Sequence, residues 1–148
     1  MERDTLSFIG EQEIRVDPQG RIAVPSRFRD AFRGGLVLAR AYDRCIAAYS
    51  HSQWQSHVRD VADLPTQRAK NRRMRRLTFS AAYNLQLDRQ GRVMLPTALR
   101  EYAGIGESVV VAGMGDFLEI WDHDSWQQER ALLDQEASYI AEVSEGAR

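Results

Sequence analysis

Residues 17–29 read Asp17-Pro18-Gln19-Gly20-Arg21-Ile22-Ala23-Val24-Pro25-Ser26-Arg27-Phe28-Arg29, and residues 88–100 read Asp88-Arg89-Gln90-Gly91-Arg92-Val93-Met94-Leu95-Pro96-Thr97-Ala98-Leu99-Arg100. The two stretches align with a shift of 71 residues, and the Asp, Gln, Gly, Arg, Pro and final Arg are identical. After one extra residue the match resumes with a shift of 72, which pairs Tyr49 with Trp121 and Trp54 with Trp126. A unit that occurs twice in one chain predicts a pseudo-twofold molecule.

Each copy carries the signals of the same succession of elements. Alternating apolar and polar residues before the Asp predict a half-buried strand. The Asp-x-x-Gly that follows predicts a tight turn in which the Asp side chain accepts hydrogen bonds from turn amides. Short strands over 21–24 and 92–95 come next, and each ends at a proline that cannot donate to a sheet. We then expect a short helix in each copy, capped by Ser26 or by Thr97.

The rest of each copy predicts a core hairpin followed by a helix. Ser50 starts a capping-box pattern ahead of a helix with Trp54 on its buried face, and Asp122 caps the matching helix, with Trp126 and Leu133 buried. The apolar strands of the hairpins are 36–39, 46–49, 109–112 and 117–121. Because strands and helices do not alternate in a βαβ rhythm, this pattern favours a small antiparallel or interleaved barrel of the α+β class.

A basic segment separates the two copies. Residues 68–76 carry six positive charges and no negative one, and helical spacing places Arg68, Arg72, Arg75 and Arg76 on one face. One interpretation is a helix that attracts phosphate through Arg72, Arg75 and Arg76. The alternative is a solvated helix whose arginines pair with acidic groups of the C-terminal tail or of a neighbouring subunit.

The net charge of −1 conceals an uneven distribution. Residues 1–115 carry 18 basic and 12 acidic groups, a net +6, whereas residues 116–148 carry 2 basic and 9 acidic groups, a net −7. Nineteen of the twenty basic residues are arginine, whose planar fork matches phosphate oxygens and guanine edges. Genome composition produces the same bias, so the arginine content alone does not identify a nucleic-acid-binding protein.

Several classes of protein lack support in the sequence. The single cysteine, Cys45, excludes an internal disulfide framework and favours a reducing cytoplasm. The apolar runs are far shorter than the roughly 18 residues of a membrane span, so no membrane association is expected. No nucleophile with a base, no carboxylate pair and no metal-ligand spacing is evident. We therefore expect a protein that is not an enzyme and that has no cofactor and no bound metal.

The repeated Asp-x-Gln-Gly-Arg is the motif that suggests a function. Arg21 and Arg92 each leave a rigid turn at the start of a strand, so the two guanidinium groups can project from one surface toward DNA. In this interpretation Asp17 and Gly20, with Asp88 and Gly91, support the turns. The alternative is an intramolecular ion pair in which each Asp only tethers its own Arg.

These residues resemble the MraZ family. The resemblance covers roughly residues 8–127 and rests on motifs that occur in the family's order. They are the two Asp-x-x-Gly-Arg hairpins, the segments Pro25–Arg29 and Pro96–Arg100, Leu118-Glu119-Ile120-Trp121-Asp122, and the stretch from Arg72-Arg73 to Arg76-Leu77. Ile9 stands where the family often has arginine.

The resemblance implies a duplicated AbrB-like swapped-hairpin (double-split) β-barrel with short helices. The corresponding division of the chain is repeat 1 over 11–54, a basic helical linker over 55–82, repeat 2 over 83–126 and an acidic helical tail over 127–148.

The resemblance also implies a function. Members of this family are bacterial transcriptional regulators of the division and cell-wall gene cluster, and they bind repeated upstream boxes of double-stranded DNA as a ring-like homo-oligomer. The arginine that the family uses for DNA contact corresponds here to Arg21 and Arg92. We therefore predict a cytoplasmic, nucleoid-associated, sequence-specific DNA-binding regulator. The alternative is a protein-interaction module, an antitoxin-like partner without specific DNA readout.

Overall fold

The computed structural model describes residues 6–146, which fold as an α+β protein. A 3₁₀ turn, Asp30–Phe32, follows the first helix, and a π-helical turn, Arg76–Ser80, follows the third. In chain order the strands and α-helices are β1 (Glu11–Arg15), β2 (Arg21–Ala23), α1 (Ser26–Arg29), β3 (Leu36–Arg40), β4 (Ile46–Ser50), α2 (His51–Ala62), α3 (Ala69–Arg75), β5 (Tyr83–Leu85), β6 (Arg92–Met94), α4 (Thr97–Ala103), β7 (Ser108–Gly113), β8 (Leu118–Asp122) and α5 (His123–Gly146).

Eight antiparallel strands interleave the two repeats. Six of them form one sheet in the order β1-β7-β8-β4-β3-β5, and β2 with β6 forms a separate two-stranded ribbon, called here the β2–β6 ribbon. The first strand of each repeat pairs with the third strand of the other, since β1 pairs with β7 and β5 pairs with β3. The second strands pair with each other, as do the fourth strands. Neither repeat therefore completes its own sheet.

The registers obey the pseudo-twofold symmetry that the repeat predicts. In the centre of the sheet Ala47 is paired with Glu119, and Ile46 and Ala48 are paired with Ile120 and Leu118. A rotation that exchanges the repeats maps this set of pairs onto itself. The ribbon has the same symmetry about the pair Ile22 and Val93. The axis thus passes through β4–β8 and through the β2–β6 ribbon.

The six-stranded sheet does not close into a barrel within residues 6–146, because its edge strands, β1 and β5, do not pair with each other. The predicted α+β class, the antiparallel strands and the two repeats are observed, whereas a closed barrel is not. The boundaries 11–54, 55–82, 83–126 and 127–148 stay a prediction.

The main core lies between the ribbon and one face of the sheet. Strand alternation points Ile46 and Ala48 toward the ribbon, where they pack with Ile22 and Val93 in one buried cluster. The other face, called here the outer face, carries the intervening residues Ala47, Tyr49, Glu119 and Trp121. Helix α2 covers its repeat 1 half through Trp54, and α5 covers its repeat 2 half through Trp126.

Helix starts agree with the sequence at α2 and α5 but not at α1 and α4. Ser50 Oγ accepts from the Gln53 amide at 3.3 Å, and Asp122 Oδ2 accepts from the Ser125 amide at 3.2 Å. The prediction that Ser26 and Thr97 cap α1 and α4 is wrong, because both are already helical and the cap residues are Pro25 and Pro96. The fixed φ of proline places the turn into the helix one residue earlier than predicted.

Helix α5 extends well past the sheet. Trp126 is buried against the outer face, and its indole Nε1 donates to Glu11 at 3.0 Å. The prediction that Leu133 is buried is wrong, since its side chain is 39% exposed. Residues 131–144 are all exposed, because the helix axis carries them beyond the last strand. Within residues 6–146, no helix has both the length and the apolar character that crossing a membrane requires.

Candidate nucleic-acid interface

Each Asp-x-Gln-Gly-Arg motif folds into a turn organised by its carboxylate. Asp17 Oδ1 accepts from the backbone amides of Gln19 and Arg21, both at 2.9 Å, and Oδ2 accepts from Arg21 Nε at 2.8 Å. The second motif repeats this arrangement with all three distances at 2.9 Å. The carboxylate therefore closes the turn and holds the arginine that leaves it.

The ion pair that the sequence left as an alternative is thus present in both turns. It uses Nε of each arginine, and within residues 6–146 no hydrogen-bond acceptor engages the terminal nitrogens of Arg21 or Arg92. Both side chains keep part of their surface open, 27% for Arg21 and 31% for Arg92. A guanidinium held at Nε retains the four N–H donors of its two terminal nitrogens. These donors can bind phosphate or guanine in a bidentate way.

The two arginines lie on the same side of the β2–β6 ribbon. Arg21 is opposite Met94, and Ala23 is opposite Arg92, whereas Ile22 and Val93 between them are buried in the core. Arg21 and Arg92 therefore occupy diagonal positions on the outward side, where residues are typically about 7–8 Å apart and their Cβ atoms somewhat closer. The fold brings together the two residues that the sequence predicts for DNA contact, at the point where the pseudo-twofold axis leaves the molecule.

Hydrogen bonds to the two carboxylates favour their charged forms. The amide of Arg21 is the largest cause, and it lowers the pKa of Asp17 below its ordinary value of 3.8. Burial opposes it, and the Arg21 side chain and the amide of Gln19 lower the pKa further. Asp88 has a lowered pKa for the same reasons, with Arg92 and Gln90 as its partners. Both ion pairs are therefore fully charged at neutral pH.

The two glycines allow the repeats to touch. Gly20 and Gly91 have φ angles of +87° and +76°, which few other residues adopt. The guanidinium of Arg29 lies over Gly91, where a Cβ would collide with it, and that of Arg100 lies over Gly20. Each of these arginines also donates through Nε to a backbone carbonyl of its own repeat, at 2.8 Å to Val24 and at 3.0 Å to Leu95.

Arg29 and Arg100 are residues to which sequence reasoning assigned no role. Each belongs to one repeat and packs on the turn of the other, so they fix the two turns relative to each other. The available signal was their identity in the two copies, since both end the aligned stretch.

The basic segment lies away from the ribbon. Helix α3 packs against α2, which covers the outer face. Arg72 Nη1 donates to the carbonyls of Thr66 and Gln67, and Arg75 Nη1 donates to that of Ala62 at 2.9 Å. Arg76 is exposed. Within one subunit, therefore, Arg72, Arg75 and Arg76 do not share a patch with Arg21 and Arg92, and two of the three hold the end of α2 and the loop after it.

Other reactive groups do not form a metal site in the part of the chain that the structure describes. No group of three or more His, Cys, Asp or Glu side chains among residues 6–146 is placed to hold a metal ion. Cys45 is fully buried, and burial raises the pKa of its thiol above the ordinary value. His123 Nδ1 donates to Asp124 Oδ1 at 3.1 Å, and this contact raises the pKa of His123.

Comparison with known proteins gives a consistent result over nearly the whole chain. A family model described as "MraZ protein, putative antitoxin-like" matches twice, over residues 7–77 and 78–146. Similar curated proteins bear the name Transcriptional regulator MraZ. The one from Roseiflexus castenholzii is 40% identical over 135 residues, which cover 91% of this chain and 94% of that protein. The one from Thermomicrobium roseum is 39% identical over 135 residues, 91% of this chain and 95% of that protein. The one from Dehalococcoides mccartyi strain 195 is 36% identical over 140 residues, 94% of this chain and 99% of that protein.

Proposed function

The chain belongs to the MraZ family of transcriptional regulators, and from this premise we propose that it reads duplex DNA through the outward side of the β2–β6 ribbon. The observation that carries the proposal is the pair Arg21 and Arg92. Each is oriented at Nε by the carboxylate of its own turn and has terminal nitrogens that no described residue engages. An arginine fixed in this way can donate to guanine O6 and N7, which gives about 1–3 kcal/mol of discrimination between bases.

The ion pairs of Asp17 with Arg21 and of Asp88 with Arg92 support this interpretation. A free arginine side chain has many rotamers, and ordering it on DNA costs conformational entropy, up to about 2 kcal/mol for a long side chain. Asp17 and Asp88 hold the guanidinium groups before DNA arrives, so less of that entropy is lost on binding. The ion pair and DNA contact are therefore compatible, because they use different edges of the same group.

We further propose that binding is multivalent and that the interleaved strands form an AbrB-like swapped-hairpin barrel. One pair of arginines is a small contact surface, whereas several copies in a ring-like homo-oligomer on repeated boxes raise avidity by about 10²–10⁴ without new contacts. The boxes would lie upstream of the division and cell-wall gene cluster, in a cytoplasmic protein associated with the nucleoid. Arg72, Arg75 and Arg76 would add phosphate contacts from a neighbouring subunit or along a longer stretch of DNA.

Gel retardation with a fragment from upstream of the protein's own gene tests the arginine pair. The double variant Arg21→Ala with Arg92→Ala should weaken binding about 25-fold or more, since each lost bidentate contact costs at least about 1 kcal/mol, which is about fivefold. The matched control is Arg33→Ala with Arg59→Ala, which removes the same charge from exposed positions outside the ribbon. Binding of the wild type should also fall steeply with salt.

Circular dichroism of the double variant separates contact from structure. An unchanged spectrum with lost binding supports the proposal, whereas an unfolded variant identifies the arginines as structural. If the wild type shows no preference for its own upstream fragment over random DNA, and a second protein co-purifies in fixed ratio, the protein-interaction alternative is correct instead.

A further inference from the structure

A cavity of about 350 Å³ opens on the outer face, on the opposite side of the sheet from the β2–β6 ribbon. Its floor includes Tyr49 and Glu119, and the helix α2 side chains Trp54 and His57 form one wall, with Phe117 from the β7–β8 connection. Nothing in the proposed DNA contact uses this cavity.

Aromatic rings form most of the lining. The Tyr49 ring stacks on Phe117, with centroids 4.8 Å apart and planes inclined by 21°, and on His57 at 4.7 Å. Trp54 lies 5.6 Å from Tyr49. Burial lowers the pKa of His57, so its imidazole is neutral at physiological pH and adds no positive charge to the wall. Faces of aromatic rings carry partial negative charge and attract cations.

Glu119 adds a carboxylate that has no cation as a partner. Its side chain is 9% exposed, and Oε1 accepts from Trp121 Nε1 at 2.9 Å. Cys45 is its other hydrogen-bond partner, and no Lys, Arg or His side chain among residues 6–146 forms a salt bridge with it, although a buried carboxylate is ordinarily paired or bound to a metal. Arg40 also lines the cavity, but its guanidinium stacks on Tyr102 at 4.0 Å.

The pseudo-twofold symmetry shows that this carboxylate is a specific feature of repeat 2. Glu119 pairs across β4–β8 with Ala47, which is its equivalent in repeat 1. An alanine satisfies the fold at this register position, so the sheet does not require a charge there. Burial, and after it the nearby carboxylates of Asp43 and Glu129, raise the pKa of Glu119, so its charged form is costly without a cation beside it. A carboxylate in repeat 2 alone, at the edge of an aromatic cavity, therefore suggests a cationic ligand that compensates it.

We propose that this cavity binds a guanidinium or alkylammonium group, with Glu119 as its counter-ion and the rings of Tyr49, Trp54 and Phe117 around its alkyl part. The group can belong to a free small molecule or to an arginine of a second copy of the chain. The proposal does not depend on DNA binding, because the cavity and the ribbon lie on opposite sides of the sheet.

Isothermal titration of the full chain with n-butylguanidinium tests the charge requirement, and the neutral n-butylurea serves as the matched ligand. We expect the guanidinium to bind and the urea not to bind. Glu119→Gln keeps the shape and should weaken binding about tenfold or more, because it removes the charge-assisted contact. Glu107→Gln is the control, since it removes an equal charge from an exposed position outside the cavity.

Light scattering on the same samples distinguishes the two sources of the cation. If the mass of the particle is unchanged by Glu119→Gln and by n-butylguanidinium, a free cation is the ligand. If both reduce the mass while Glu107→Gln does not, the ligand is an arginine of another copy. Trp54→Leu removes a half-exposed wall residue and should weaken binding too, which keeps the test decisive if Glu119→Gln fails to fold. The proposal is overturned if n-butylguanidinium neither binds nor changes the mass, or if it binds wild type and Glu119→Gln equally.

Discussion

Asp17 and Asp88 each organise a backbone turn and orient an arginine with one carboxylate. Oδ1 accepts two amides of the turn, and Oδ2 accepts the Nε of the arginine. The different roles of these three residues explain why Asp, Gly and Arg recur together in both repeats. The aspartate stabilises the turn, the glycine supplies the positive φ, and the arginine is the side chain presented on the surface.

The charge of these aspartates gives a pH-dependent contribution to stability. Their pKa values are lowered in the folded state, so the contribution is complete above the ordinary pKa of 3.8 and is lost as the pH falls through the folded value. The double variant Asp17→Asn with Asp88→Asn keeps an oxygen for the amides but removes the ion pairs. In calorimetry its unfolding temperature should be lower than that of the wild type at neutral pH. The two values should converge as the pH falls below about 4; a constant difference would show that charge is not involved.

Gly91 combines a positive φ with the close approach of Arg29. Gly104 has a φ of +63° with open space at the Cβ position, so it is the matched control. Gly104→Ala should cost about 1–2 kcal/mol, the price of a left-handed conformation for an L-residue. Gly91→Ala should cost at least about 1 kcal/mol more, because its Cβ also displaces the Arg29 guanidinium. Urea unfolding measures both. Equal losses would mean that Arg29 moves aside freely.

At the scale of the element, the sequence predicts whatever depends on neighbours in the chain. The turns at 17–20 and 88–91, the ribbon strands and the caps Ser50 and Asp122 all have local signals, and all are observed. The pairing of β1 with β7 and of β5 with β3 has no local signal, because the partner strands are far apart in the chain. For the same reason the contacts of Arg29 and Arg100 with the opposite turns were not predicted. The candidate site is likewise predictable only in part. The sequence nominates Arg21 and Arg92, whose contact with DNA stays a prediction, but it does not predict that each aspartate holds its arginine at Nε.

Helix α5 illustrates where periodicity fails. Trp126 and Leu133 lie on one helical face, yet only Trp126 has a strand beneath it. Trp126→Ala should therefore cost about 3–5 kcal/mol, whereas Leu133→Ala should change the free energy of unfolding by no more than about 0.5 kcal/mol. Urea unfolding of the two variants checks this. A large loss for Leu133→Ala would indicate that another surface covers the end of the helix.

At the scale of the molecule, the interleaved repeats make folding a single event. Because β1 needs β7 and β5 needs β3, neither half of the chain contains the partners of its own first strand. The ribbon also takes one strand from each half. Residues 63–68 connect the two halves, and all of them are exposed except Leu64, which is half-buried. This connection therefore makes few packing contacts, and it contributes to stability mainly by keeping the two halves close together.

A chain divided in that connection should therefore reassemble. Expressed separately, residues 1–66 and 67–148 should each lack a cooperative thermal transition as monomers, because each leaves the edges of its strands and its apolar faces unpaired. When the two pieces are co-expressed, they should co-purify one to one and recover the circular dichroism of the intact chain. Their unfolding temperature should depend on concentration, since association is now bimolecular.

A monomeric half with a sharp transition of its own would contradict the interleaved topology. Arg21 lies in one piece and Arg92 in the other, so reassembly would also restore the arginine pair. Recovery of DNA binding would then show that the β2–β6 ribbon has formed again.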